Sequence, residues 1–351
     1  MKRRSASTQL SLFGGAAAGD GLAPHAESTR ALAETLPAEL RLGTSSWSFP
    51  GWRGIVWSEA RSEAQLAREG LAVYARHPLF RTVGIDRTFY APVEREVFAG
   101  WAAQVPAGFR FLIKAHDACT LARFPTHPRY GARRGEANDR FLDPAYATDR
   151  VVAPAVEGLG EKAGPILFQL PPQPLQELGG AAAFAERLHA FLDALPKGPI
   201  YAVELRNRGL LTPAYVQALE AAGAVHCCNV HAGMLPLAEQ IRRVDPARGP
   251  AVVVRWMLHD GLDYQKAVAR YAPFSALVDE DEATRETIAR LLMTSTQRRV
   301  PTWVVINNKA EGSAPLSAEK LARRLAALRQ PPTRDISTLP STVSSEERSS
   351  E

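Results

Sequence analysis

Apolar positions along the chain fall into eight short runs, set between longer stretches whose apolar residues recur at helical spacing. The runs are Leu40–Ser46, Phe80–Asp86, Gly108–Lys114, Pro165–Leu170, Ile200–Val203, Ala224–Asn229, Ala251–Arg255 and Thr302–Asn307. Rich in β-branched and aromatic residues and bounded by Gly, Pro or charge, they read as buried strands. Helical spacing predicts a helix from about Ser58 to Arg76, with Leu66, Leu71, Val73 and Tyr74 on a compatible face. Further helices are predicted from Pro92 to about Gln104, near Tyr146–Leu159, over Ala181–Leu195, near Ala283–Arg298 and over Ser317–Leu328. Thr212-Pro213 is an N-cap followed by proline at the first helical position, and Gly223 stops that helix. Apolar strands alternating with helical connections describe a parallel sheet. Eight of them within residues 39–329 suit a closed (β/α)8 TIM-type barrel. An open doubly wound sheet is the alternative. No Gly-x-Gly-x-x-Gly follows the first run, so dinucleotide binding has no support.

The barrel is flanked by stretches expected to be disordered. Residues 1–38 are dominated by Ser, Ala, Gly and Pro, and residues 330–351 by Pro, Ser, Thr and Glu. One apolar cluster stands in the first of them. Gln9-Leu10-Ser11-Leu12-Phe13 resembles the short peptide by which bacterial replication and repair proteins attach to the DNA sliding clamp. The resemblance implies that Gln9, Leu10, Leu12 and Phe13 make the partner contacts. Gly14–Ala38 would then be a tether of roughly 25–30 Å by random-coil scaling.

Composition narrows the class. At 351 residues, 46% hydrophobic and 23% charged, the chain is an ordinary soluble globular protein. Its net charge of +5 permits an anionic ligand without arguing for nucleic acid. Arg123, Arg129, Arg133, Arg134 and Arg140 in the long segment Ala115–Ala145 would supply phosphate contacts if nucleic acid were bound. Cys119, Cys227 and Cys228 have no Cys-x-x-Cys spacing, which argues against a zinc ribbon or disulfide framework and fits a reducing compartment. No apolar run approaches the roughly 20 residues a bilayer requires, and no apolar core follows Lys2-Arg3-Arg4. A cytoplasmic location without membrane partners is the expectation.

The candidate chemistry lies at the strand ends. The fifth run continues into Glu204 and Arg206, which share one face of a strand because side chains alternate. In a barrel the carboxyl ends converge on one mouth. They would bring together Ser45, Asp86, Lys114, Gln169, Glu204, Arg206, Asn229, Arg255, Asn307, Asn308 and Lys309. Lys114, Arg206, Arg255 and Lys309 around a buried carboxylate describe a pocket for a small anionic ligand, phosphorylated or carboxylated. Glu204 is then the expected general acid or base, tuned by Arg206, with His259 in the catalytic set and hydrolase or lyase chemistry implied. Asp86, Lys114, Gln169, Arg255, Asn307, Asn308, Trp47 and Tyr90 are the expected substrate contacts. Two blander readings compete: a salt bridge at a strand end, and Trp47, Phe49 and Trp52 as a hydrophobic lid. A non-catalytic anion-binding barrel is the rival function. His116, Asp117, His231, His259 and Asp260 come from three loops without His-x-x-x-His spacing, so no metal or other cofactor is expected, a divalent ion being the open alternative. No Gly-x-Ser-x-Gly elbow is present.

Several motifs, in order, resemble the YecE-like family, also called domain of unknown function 72. They are Gly43-Thr-Ser-Ser-Trp-Ser-Phe-Pro-Gly-Trp-Arg-Gly54, Thr88-Phe-Tyr90, Gly108-Phe-Arg-Phe-Leu-Ile-Lys114, Leu167-Phe-Gln-Leu-Pro-Pro172, Val203-Glu-Leu-Arg206 and Asn307-Asn308. The resemblance implies a TIM-type barrel and no established activity. The chain departs from the family's pattern at Gly84, where a glutamate is expected before Ile85-Asp-Arg-Thr-Phe-Tyr90. A mouth carboxylate is thereby lost or replaced by Asp86, which favours the non-catalytic rival. Arg255-Trp-Met-Leu-His259 also has two more residues than the family's Arg-Leu-His.

Overall fold

A computed structural model describes residues 21–330 apart from Asp260. Eight strands, β1 (Leu40–Thr44), β2 (Phe80–Ile85), β3 (Arg110–Lys114), β4 (Ala163–Leu170), β5 (Tyr201–Leu205), β6 (Val225–Val230), β7 (Val252–Trp256) and β8 (Thr302–Ile306), close into a parallel barrel in chain order. β1 pairs with β8 along its length, so no strand edge is left open. The expected closed barrel is the fold, and the open-sheet alternative falls.

Alternation along the strands divides the core in two. Leu112, Leu167, Ala202, Val225, Cys227, Val253, Trp303 and Val305 fill the barrel interior. Their neighbours, such as Phe168, Val203, Cys228, Val254 and Val304, pack outward under the helices. The vicinal cysteines therefore serve as core hydrophobes on opposite faces. Gly43 marks a close approach of two strands: a Cβ there would lie 1.9 Å from the Thr82 carbonyl oxygen, so only glycine lets β1 and β2 meet as they do.

The predicted helices occur as Glu63–Tyr74, Arg95–Ala102, Gly180–Ala194, Pro213–Ala222, Glu282–Gln297 and Ala314–Arg329. Thr212 caps its helix by accepting from the Tyr215 amide, and Gly223 ends it at φ 69°. The helix expected near Tyr146–Leu159 is broken, with a wide turn at Thr148–Val152 between Pro144–Ala147 and Ala153–Leu159. Pro154 lacks the N–H that would continue the ladder, which accounts for the irregularity. Helices Leu237–Val244 and Tyr264–Tyr271 lie in segments left unassigned by periodicity.

The disorder expected over residues 1–38 does not hold for residues 21–38. Pro24–Ser28 and Arg30–Glu34 are short helices laid on the barrel, with Leu22, Ala23, Ala26, Ala33 and Leu36 buried. The Ala23 amide donates to the Val56 carbonyl at 2.9 Å, and His25 pairs with Glu319 at 2.8 Å. Alanine carries too little apolar surface to mark a helix face by pattern, so this segment resembles linker until its packing partners are known. Gln9, Leu10, Leu12 and Phe13 lie outside the described residues.

The long segment Ala115–Ala145 is tied down by buried side chains. Asn138 donates to the Ala118 and Leu121 carbonyls at 2.7 and 2.6 Å, while Gln173 bonds the backbone of Ala122 and Thr120 at 2.6 and 2.9 Å. Among the described residues no helix is long and apolar enough to cross a membrane.

Candidate active site at the barrel mouth

Strand registers stack the interior residues in layers. Lys114 pairs with Leu167, Leu167 with Ala202, and Glu204 stands two residues beyond Ala202 on the same face. Barrel stagger advances about one residue per strand, so Lys114 and Glu204 share a level. The same stepping from Val253 brings Arg255 to that level, and from Gly43 brings Ser45. One interior layer at the mouth is thus Ser45, Lys114, Glu204 and Arg255, one from each odd strand, as layered barrel packing requires. Polar and charged residues stand where the lower layers have Leu, Val and Ala.

Glu204 is fully buried with both carboxylate oxygens engaged. Arg206 Nε donates to Oε1 at 2.8 Å, and Arg255 Nη1 donates to Oε2. Arg255, itself buried, also reaches Asp86 Oδ1 through Nη2 at 3.2 Å, so one guanidinium bridges two carboxylates. Burial alone would raise the Glu204 carboxyl; the Arg255 and Arg206 charges outweigh it and hold the pKa at about 2. Burial opposes the charge on Arg255, but Glu204 and Asp86 raise its pKa above the ordinary guanidinium value.

Above this layer opens a cavity of about 420 Å³. Asp86, Lys114, Arg206, Arg255, Asn307 and Tyr90, all expected from sequence, line it together with Ser45 and Lys309. Arg206 spends only its Nε on Glu204 among the described residues, which leaves the terminal nitrogens of its fork to the cavity. Lys114 Nζ lies 3.7 Å from the centre of the Phe89 ring, and Lys309 Nζ 4.4 Å from that of Tyr264. Burial brings the Lys114 amine down to about 8, against the pull of nearby Asp86 and helped by Arg255 and Arg206. Burial also lowers Lys309, and takes His231 down to about 4 with Arg206 adding to the effect. Tyr90 and Tyr264, 65% and 60% exposed, stand at the entrance.

Other expected residues sit elsewhere. Trp47 is buried and packs edge-on against Trp101 at 6.0 Å; the aromatic stretch after β1 follows no strand period, so its direction could not be read in advance. Asn308 accepts from Trp52 Nε1 at 3.0 Å and from the Ala314 amide at 2.9 Å, pinning the first loop to the last helix and taking no part in the cavity lining. Gln169 is buried beside Glu204 in the β4–β5 register and does not line the cavity either. His259 faces a smaller neighbouring space of about 130 Å³ with His231 and Leu258. Met257 and Leu258 line the mouth where His259 was expected. His116 turns to Tyr146, at 2.7 Å from the hydroxyl, and to Asp117. Among the described residues no three His, Cys, Asp or Glu side chains come together as a metal site.

The general acid or base role expected of Glu204 meets a carboxylate with both oxygens committed and a pKa far below neutrality. It is an ionised anchor that orients two guanidiniums. Sequence reasoning passed over Asp263 and Tyr264. Asp263 caps the helix Tyr264–Tyr271 by accepting from the Lys266 amide at 2.8 Å, and an Asp, a preferred N-cap residue, was the available signal.

Residues 41–342 match the family described as Protein of unknown function DUF72. The chain belongs to the DUF72 family. Crystal structures of family proteins share its architecture. The one from Enterococcus faecalis V583 is 18% identical, with 82% of this chain and 95% of that chain covered at a TM-score of 0.54. The one from Thermotoga maritima MSB8 is also 18% identical, covering 82% and 98% at 0.54. At such identity the likeness shows a common barrel. No curated protein matches the chain. The departure at Gly84 acquires a location: this glycine faces the interior, where a Cβ would lie 3.4 Å from Ser45 Cα and 3.5 Å from Val305 Cγ1. It falls in the layer beneath Lys114, so a side chain at this position would rise towards that amine.

Proposed function

We propose that the barrel mouth is an active site for a small substrate bearing a carboxylate or phosphate. The observation that carries the reading is the set of unspent donors on Arg206, Lys114 and Lys309 around one cavity, above a carboxylate that is itself saturated. A guanidinium held at Nε presents its terminal pair as a preset fork, so little side-chain entropy is lost on binding an anion. Asp86, Tyr90 and Asn307 supply polar contacts for the rest of the substrate. Hydrolytic or lyase chemistry fits an enclosed site with a near-neutral amine. Compounds that raise the melting temperature should be consumed on incubation, as read by mass spectrometry of the supernatant. If every such ligand is recovered unchanged, the barrel binds without turnover; Gly84 and the saturated Glu204 are the observations favouring that second reading.

The amino-terminal peptide adds a location to this reading. Gln9, Leu10, Leu12 and Phe13 would dock on a sliding clamp, and the barrel, whose first strand begins at Leu40, would be held near DNA by tethering. A synthetic peptide of residues 5–16 should bind purified clamp at micromolar affinity, about 8 kcal/mol. Leu12→Ala with Phe13→Ala should lose most of it. Absence of binding at hundred-micromolar clamp removes the tether.

A further inference from the structure

Lys114 is the side chain in the site whose placement anion binding alone does not explain. Its Nζ opens on the mouth cavity although the residue is only 7% exposed. Among the described residues Nζ makes no ion pair and no hydrogen bond, its close contact being the face of Phe89, while the Lys114 carbonyl accepts from the Thr88 hydroxyl. The acids around it are engaged: Glu204 by Arg206 and Arg255, Asp86 by Arg255. Gly84, in the layer below, contributes no side chain to pair with it. A lysine that serves structure behaves otherwise here. Lys162 donates to the Ala102 and Val105 carbonyls at 2.7 Å each. A desolvated ammonium beside two guanidiniums and without an acceptor is poorly stabilised, which favours the neutral, nucleophilic amine.

We infer that Lys114 is an amine nucleophile that forms an imine with a small aldehyde or ketone carrying a carboxylate or phosphate. The inference rests on the anion-binding reading of the mouth, because Arg206 and Lys309 would seat the anionic group while the carbonyl meets Nζ. The Nζ lone pair attacks the carbonyl carbon, forming the C–N bond, and the C=O π pair moves to oxygen. That oxygen takes up the proton released from nitrogen, giving a carbinolamine. The hydroxyl then leaves as water with one further proton drawn from solvent, and the nitrogen lone pair completes the C=N bond of the iminium. Asp86, which lines the same cavity and meets Arg255 through Oδ1 alone among the described residues, is a carboxyl able to pass that proton through its second oxygen, whereas both Glu204 oxygens are committed. The iminium withdraws electrons from the adjoining C–C and C–H bonds, which suits lyase chemistry. With a pKa of about 8, the amine is substantially neutral just above physiological pH.

The test is reductive trapping on the full chain with sodium cyanoborohydride and, separately, pyruvate, glyoxylate and glyceraldehyde 3-phosphate. At least one probe should add a mass equal to its own less one oxygen atom. Peptide mapping should place it on Lys114, and trapping should rise with pH through about 8. Lys114→Arg keeps the charge and should fold, with a melting temperature near that of the parent and the adduct lost. No adduct at Lys114 with any probe, or equal labelling of parent and Lys114→Arg, overturns the inference. Melting temperatures taken with the same probes separate the two levels. A rise without an adduct leaves the anion site standing and removes the amine chemistry; neither rise nor adduct removes both.

Discussion

Replacing Glu204 by Gln is expected to cost roughly 3–5 kcal/mol of folding stability, because it leaves buried guanidinium charge uncompensated. The amide keeps the volume but not the bonding. Its oxygen can accept from Arg206 or from Arg255, and its NH2 then confronts the other donor. The melting temperature should fall by about 2–4 °C per kcal/mol for a domain of this class. The pH dependence has a defined sign. The Glu204 carboxyl is depressed from 4.5 to about 2, so its contribution is complete above pH 4.5 and is lost as pH falls towards 2. That contribution is on the order of 3 kcal/mol. Glu204→Gln should therefore be less stable than the parent at neutral pH and converge on it in acid. Chemical denaturation at pH 7 and pH 3 reads both effects, and equal midpoints at pH 7 would show that the carboxylate is not holding the guanidiniums.

Arg206→Ala should weaken binding of an anionic ligand by about 30-fold or more, the equivalent of ~2 kcal/mol for a truncated, partly buried charge contact. The effect belongs to the ligand and not to the fold. Arg206 keeps some exposure at the mouth, and its removal leaves Glu204 still paired with buried Arg255. Calorimetric titration of any ligand that stabilises the parent measures the loss directly. A dissociation constant unchanged within a factor of two would take Arg206 out of the site.

Much of this arrangement is legible in the chain because a strand alternates. Given the apolar run Ile200–Val203, Glu204 and Arg206 must share a face, and the same rule orients Lys114, Asp86 and Arg255. That Glu204 meets Arg255, 51 residues away, follows only once the barrel closes and odd strands share a layer. Where no period holds, direction was lost. Trp47 and Asn308 stand in loops, and both turned to packing or to pinning the chain. His259 was placed by proximity in sequence to Arg255, and the three intervening residues suffice to carry it out of the mouth. Residues 21–36 looked like linker because alanine provides packing surface without an apolar signature. The role of Glu204 was the subtler loss. A buried acid beside one arginine reads as a tunable catalyst; a buried acid between two is an anchor, and the second arginine is invisible until the fold is known.

The central claim is that the mouth is built to hold an anion, and the melting temperature of the unmodified chain tests it most directly. It should be measured across small carboxylates and phosphate esters, each paired with a neutral analogue such as the amide or the free alcohol. Binding to the folded state alone raises the midpoint, by an amount equivalent to about 2.7 kcal/mol at a hundredfold excess over Kd. Some anionic members should raise it, and their neutral partners should not. If no anion raises it, or if anion and neutral analogue raise it equally, the donors on Arg206, Lys114 and Lys309 do not form the proposed site.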